Sequence, residues 1–83
     1  MLTPAEELLA AVKEHATADV SFRFETDYLR LVVVGRLSPL IVVQPCADGR
    51  WLESVSISSL DFSHASASSA VYSAFLRARG KQI

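Results

Sequence analysis

The sequence contains very little cysteine, glycine and proline. Among its 83 residues there are one cysteine, three glycines and three prolines. A single cysteine, Cys46, excludes an internal disulfide and any zinc site built on paired cysteines. Three scattered glycines exclude a glycine-rich phosphate loop and a dinucleotide-binding fingerprint. We therefore expect neither a cofactor nor a metal, and we expect Cys46 to be an inert thiol because no cation stands near it in the sequence.

A basic excess and long apolar segments are also missing. Eight basic and nine acidic residues give a net charge of −1, whereas nucleic-acid binders usually carry a basic excess on one face. The longest apolar runs, LVVV and LIVV, are far shorter than the ~20 residues of a membrane helix. The first fifteen residues lack the basic segment of a signal peptide. We expect a cytoplasmic protein with no membrane partner, for which nucleic acid is a disfavoured ligand.

What the sequence does contain is enough apolar material for one small core. Hydrophobic residues make up 51% of the chain and charged residues 20%. A chain of this length buries roughly 60–65% of its extended-chain surface, so the core is small, yet this composition can fold without disulfides or metal. We expect a single domain, residues 1–83.

The first predicted element is a helix that begins at the segment TPAE. Thr3 can cap the helix, Pro4 suits its first position, and Glu6 can bond back to the Thr3 N–H. Apolar residues then recur at helical spacing and predict the buried face. These residues are Ala5, Leu8, Leu9, Val12 and Ala16. We expect the helix to end near residues 15–18, with His15 facing solvent at its carboxyl end.

Four segments then have the patterns of β-strands, and a second helix follows them. The strands are predicted at residues 19–25, 28–36, 40–44 and 50–58, with short connections that favour an antiparallel meander. Residues 60–63 are predicted to connect the last strand to a helix over residues 64–79, capped by Asp61 or Ser63. The predicted fold is a two-layer α+β domain, α-β-β-β-β-α, with a four-stranded sheet and both helices packed on one face.

The segment DFSHASASSA, residues 61–70, has the residue types of a serine hydrolase. Asp61, His64 and a nearby serine could form a hydrogen-bonded row, but no Gly-x-Ser-x-Gly nucleophile elbow surrounds them. A helix start accounts for the same residues, so we favour it. The two histidines, His15 and His64, form a metal site only if the fold brings them together with acids.

The second face of the predicted sheet is more apolar than water contact alone requires. Its centre would consist of Val32, Val34, Leu52 and one of the pairs Ile41/Val43 or Leu40/Val42, with charged residues and serines as a rim. An apolar centre with a polar rim is typical of an interface. The alternative is that one helix covers this face. The predicted interface residues are Arg23, Tyr28, Arg30, Val32, Val34 and Leu52.

The sequence thus favours a non-enzymatic protein-binding module. We expect a homodimer that acts through a sheet face or edge on a larger protein, in the manner of an accessory, immunity or inhibitor protein. Two alternatives stay open. One is a small hydrolase that uses Asp61, His64 and a serine, and the other is weak RNA binding on the sheet through Arg23, Tyr28 and Arg30.

Overall fold

A computed structural model of the chain describes residues 2–25, 27, 29–35, 40–56 and 60–80. Along the chain, one helix precedes and one helix follows an antiparallel sheet, so the architecture is α+β. The strands lie side by side in the order of the sequence. The elements are α1 (Pro4–His15), β1 (Ser21–Glu25), β2 (Arg30–Val34), β3 (Leu40–Pro45), β4 (Trp51–Val55), β5 (Leu60–His64) and α2 (Ala67–Ala78).

Helix α1 begins with the capping box that the sequence predicts. The Glu6 N–H donates to Thr3 Oγ1 at 3.2 Å, and the Thr3 N–H donates to Glu6 Oε1 at 2.9 Å. The hydrogen bond from the Thr3 backbone N–H, followed by one from the Thr3 side chain, lowers the pKa of Glu6, because a hydrogen bond donated to the carboxylate favours its charged form. The start of the chain's first element is therefore fixed by local hydrogen bonds.

The buried face of α1 differs in part from the predicted face. Leu8, Ala11 and Val12 are buried, whereas Ala16, Ala5 and Leu9 are exposed. The last two line a groove of about 350 Å³ beside the β1–β2 connection. The prediction was wrong here because it relied on the spacing of the larger side chains. A small residue, Ala11, is buried where the two helices pack closely, and that spacing did not predict it.

The sheet has five strands, and the predicted count of four was wrong. Residues 60–64, predicted as a connection, form β5 and pair with β4, with Glu53 opposite Phe62 and Trp51 opposite His64. Their side chains alternate between the two faces of the sheet. Leu60 and Phe62 alternate with Asp61 and Ser63, but two apolar residues are too short a run to establish a period of two, so the strand was not predicted.

Helix α2 consequently starts later than predicted. Its N-cap is Ser66, whose hydroxyl accepts a 3.2 Å hydrogen bond from the Ser69 N–H, and not Asp61 or Ser63. His64 belongs to β5 and not to the helix. Helical spacing predicts an apolar stripe on this helix that consists of Ala67, Ala70, Val71, Ala74, Phe75, Leu76 and Ala78. All of these residues are buried except Leu76, which is half-buried.

One face of the sheet, here called the inner face, supplies the core. Strand register places one set of alternate residues on it: Phe22, Phe24, Leu31, Val33, Ile41, Val43, Pro45, Trp51, Glu53, Val55, Leu60, Phe62 and His64. A single buried cluster combines inner-face side chains of β2, β3 and β4 with residues of both helices, and it contains no residue of the opposite face among those described.

Specific contacts tie both helices to this core. Trp51 Nε1 on β4 donates a 3.0 Å hydrogen bond to Glu7 Oε2 on α1. The ring of Phe22 on β1 meets that of Phe75 on α2 edge-on, with centroids 5.7 Å apart. Because an inner-face side chain meets each helix, the two ends of the chain close over the same core.

Neither helix is a candidate for a membrane span. Each has only 12 residues, and within the described parts of the chain no helix combines the length and apolarity that crossing a bilayer requires.

Candidate functional site

The outer face of the sheet carries a patch of aliphatic side chains. Register places Val34 opposite Leu40 and Val32 opposite Val42, and Leu52 on β4 stands diagonal to Val42. We call these five residues the outer patch. Val34 is 41% exposed and Leu40 is 45% exposed, whereas Val32 at its centre is buried. The patch is therefore continuous over β2, β3 and β4, with exposed leucine and valine at one end.

The patch contains the pair that the sequence left open. The alternation of β3 turns Leu40 and Val42 outward, and Ile41 and Val43 belong to the core cluster. Of the six predicted interface residues, five lie on the outer face: Arg23, Arg30, Val32, Val34 and Leu52. The sixth, Tyr28, lies outside the described residues.

Charged side chains border the patch on the β1 side. Glu25 accepts hydrogen bonds from Arg30 Nε and, at 3.2 Å, from Arg23 Nη2. The Arg30 hydrogen bond, followed by the charges of both arginines, lowers the pKa of Glu25 against the opposing effect of desolvation. Glu25 is therefore held as a carboxylate, and this edge carries two cations around one anion.

The opposite edge of the same face carries an acid. Reading across the paired strands, one row of the outer face runs Arg23, Val32, Val42, Ser54, Asp61. The row is cationic at β1, aliphatic in the middle and anionic at β5. An interface with this layout has a desolvated centre and an orienting charge at each end.

The structure does not bring Asp61 and His64 together. They stand three residues apart on β5, so strand alternation turns Asp61 to the outer face and His64 to the inner face. The acid that His64 contacts is Glu53 on β4, at 2.9 Å from His64 Nε2. The structure thus pairs His64 with Glu53 and not with Asp61.

Glu53 is the centre of a buried network. Its side chain is 0% exposed, and its two carboxylate oxygens accept 2.9 Å hydrogen bonds from His64 Nε2 and Arg77 Nε. His64 Nδ1 lies 3.0 Å from the Ser69 hydroxyl on α2, and the Arg77 guanidinium lies 3.8 Å from the centre of the Phe62 ring. We call Glu53, His64, Ser69 and Arg77 the Glu53 network.

Strand alternation in the sequence places Glu53 on the same face as Trp51 and Val55, but it assigns Glu53 no function. The signal was an acid between Trp51 and Val55 on a face that is otherwise apolar. A buried carboxylate requires partners, since an unpaired buried charge costs several kcal/mol. That requirement implies a cation or donor nearby, but the sequence does not say that His64 and Arg77 supply it.

The other histidine has a separate environment. His15 Nε2 lies 2.8 Å from Ser68 Oγ, and its ring is 5.3 Å from that of Tyr72. Ser68 Oγ in turn donates to Glu14 Oε1 at 3.2 Å. His15 is therefore half-buried between the two helices, and the expectation that it faces solvent was wrong, because α2 packs against the end of α1.

The described residues offer no metal site. No group of three or more histidine, cysteine, aspartate or glutamate side chains converges in the ranges that the structure describes. Cys46, the single cysteine, is half-buried at the end of β3.

Comparisons with known protein families, curated proteins and solved structures give no relative from which a function could be transferred. No family model, curated protein or solved structure matches this chain.

Proposed function

We propose that the protein is a protein-binding module that associates with a second copy of itself through the outer patch. The observation that carries the proposal is the aliphatic content of both sheet faces. The core cluster takes up the inner-face side chains of β2, β3 and β4 together with both helices, while Val34 and Leu40 stay exposed on the other face. A small domain gains stability when it buries such a face against its own copy.

The charge layout favours a second copy over an unrelated partner. Arg23 and Asp61 lie at opposite ends of one row across the sheet. Suppose that the outer faces of two copies meet, with a two-fold axis between them that runs parallel to the central strand β3. The axis reverses the direction of this row in the second copy relative to the first. The cationic edge of each copy then lies over the anionic edge of the other, with Val42 near the axis. Self-association therefore places an opposite charge over the charged residue at each end of the row.

The size of the face sets the expected strength. Five strands about 4.8 Å apart, each about 17 Å long, give a footprint of roughly 400 Å² per copy. Two copies would then bury roughly 800 Å² in total, which is below the 1,200–2,000 Å² of standard specific interfaces and in the range of weak, transient ones. We expect a dissociation constant in the micromolar range, which corresponds to a binding free energy on the order of −8 kcal/mol. The strand edges and the exposed surface of α2 stay available to a larger protein partner.

Two equally exposed leucines, one inside and one outside the outer patch, allow a matched test of whether the patch forms the dimer interface. Leu40 in the outer patch and Leu9 on α1 are each 45% exposed. We expect sedimentation velocity to show a concentration-dependent dimer of the unmodified protein. Leu40→Glu should raise its dissociation constant at least about 100-fold, since each copy buries the residue and about 1.4 kcal/mol per copy is tenfold. Leu9→Glu should leave the dimer intact.

Charge reversal tests the orientation of the two copies. Arg23→Asp and Asp61→Arg should each weaken the dimer, and the double variant should recover most of the loss because the reversed row is again complementary. A protein that stays monomeric near 1 mM, or equal effects of Leu40→Glu and Leu9→Glu, would contradict the proposed self-association.

RNA binding on the sheet has less support. Sheets that bind RNA stack bases on exposed aromatic side chains, and the outer-face positions among the described residues carry none. The outer face instead offers aliphatic side chains, which suit a protein surface.

A further inference from the structure

We propose that Ser69 is a nucleophile activated by His64 and that it reacts with carboxylic esters at the protein surface. This inference goes beyond the proposed self-association, and it departs from the expectation of a protein without catalytic activity. It rests on a continuous row of hydrogen-bonded side chains, from the Ser69 hydroxyl through both nitrogens of His64 to the buried Glu53 carboxylate.

The chemistry of Glu53 assigns the proton positions in this row. Its carboxylate accepts from Arg77 Nε on one oxygen, and an ionised carboxylate can only accept hydrogen bonds. The other oxygen, 2.9 Å from His64 Nε2, therefore requires that Nε2 carry the hydrogen. In neutral His64, Nδ1 then has a free lone pair directed at the Ser69 hydroxyl 3.0 Å away. That is the arrangement of a base beside a serine nucleophile.

Arg77 helps to hold Glu53 in this arrangement. Its guanidinium pairs with the buried Glu53 carboxylate and stacks on the Phe62 ring. Glu53 and Arg77 are thus positioning residues. They fix the imidazole ring and its tautomer, and they leave Nδ1 available to take a proton.

The neighbouring serine provides an internal contrast. Ser68 also contacts a histidine, His15, but its hydroxyl donates its hydrogen to Glu14 Oε1. The His15 nitrogen must then act as the donor to Ser68, so it cannot accept the serine proton. Ser68 and Ser69 are each hydrogen-bonded to one of the chain's two histidines. Of these two serines, only Ser69 has a histidine nitrogen that can accept its hydroxyl proton.

The position of Ser69 suits a substrate that approaches from solvent. Ser69 is exposed in the first turn of α2, whereas His64 and Glu53 lie beneath it. The amino end of a helix carries partial positive charge and favours the negative charge that develops on an attacked carbonyl oxygen.

The reaction balances without a further reactant except water. Ser69 Oγ forms a bond to the ester carbonyl carbon while its proton moves to His64 Nδ1. The bond from that carbon to the alkoxy oxygen breaks, and the alcohol leaves with the proton from Nδ1. Water then attacks the acyl-serine, again giving a proton to Nδ1, which returns it to Ser69 as the carboxylic acid departs.

A fluorophosphonate probe tests the nucleophile directly. Its phosphorus forms a bond to an activated serine oxygen as fluoride leaves, and the adduct is read by intact mass and peptide mapping. We expect one adduct per chain, on Ser69. Ser69→Ala should abolish labelling, and the matched variant Ser68→Ala should be labelled at the rate of the unmodified protein. Absence of an adduct, or an adduct on any residue other than Ser69, would overturn the proposal.

The base is tested by the labelling rate. His64→Gln removes the proton acceptor, and we expect the rate to fall about 100-fold, within the range of general-base effects. An unchanged rate would overturn the assignment of His64, with folding of each variant checked by Trp51 fluorescence. The Leu40→Glu variant should be labelled normally, so that loss of labelling and loss of the dimer are separate results.

Discussion

Removal of the Glu53 charge is the most informative perturbation of the core. In Glu53→Leu the side chain keeps a similar volume, so the loss of stability reports the lost charge rather than a cavity. The Arg77 guanidinium and the His64 Nε2–H then have no acceptor in the core. Breaking a buried ion pair in this way costs about 3–5 kcal/mol. Because the Arg77 side chain is 27% exposed and partly reaches water, we expect the lower end, about 3 kcal/mol.

That loss is large for a domain of this size. Its free energy of unfolding should be roughly 4–12 kcal/mol, and each kcal/mol corresponds to a shift in melting temperature of about 4–8 °C. Urea unfolding followed by fluorescence of Trp51, the single tryptophan, measures the change. The matched control is Glu14→Leu, whose carboxylate is 64% exposed and should contribute less than about 1 kcal/mol.

A double variant separates charge from packing. Glu53→Leu combined with Arg77→Met leaves no unpaired ion, so it should be more stable than Glu53→Leu alone. If Glu53→Leu costs no more than Glu14→Leu, or if the double variant is the less stable of the two, the network does not stabilise the fold in the way argued here.

Three further outcomes follow from local interactions. Thr3→Ala removes the capping box of α1 and should cost about 1 kcal/mol in urea unfolding, while Thr3→Ser should cost little. The pKa of Glu25 is lowered in the folded protein, so its ion pair stabilises the fold above the ordinary glutamate range and loses that effect as the pH falls through the lowered pKa. Glu25→Gln should therefore flatten the acid limb of the stability profile. Glu7→Leu removes the acceptor of Trp51 Nε1 and should lower stability by about 1–3 kcal/mol, with a shift in Trp51 emission.

Local signals in the sequence predicted much of the fold. The TPAE segment specified the start of α1 because its capping interactions involve only neighbouring residues. Strand alternation assigned side chains to the two sheet faces, and the buried stripe of α2 followed from its helical spacing. Val32, Val34 and Leu52 of the outer patch could be predicted for the same reason, whereas the choice of Leu40 and Val42 stayed open because β3 is apolar on both faces.

Features that depend on long-range pairing could not be predicted. The strand β5 is recognisable only when Phe62 and His64 are seen opposite Glu53 and Trp51. The Glu53 network joins residues up to 24 positions apart in the sequence. No periodicity records such contacts, so the sequence indicated Asp61, a near neighbour along the chain, as the partner of His64 when the fold supplies Glu53.

The most direct test of the central claim is an isotope-filtered NOE experiment on a mixture of labelled and unlabelled protein. Self-association through the outer patch predicts contacts between methyl groups of Leu40, Val42 and Val34 in different copies. Intermolecular contacts that involve α1 or α2 instead, or none at concentrations where the protein sediments as a dimer, would contradict the account.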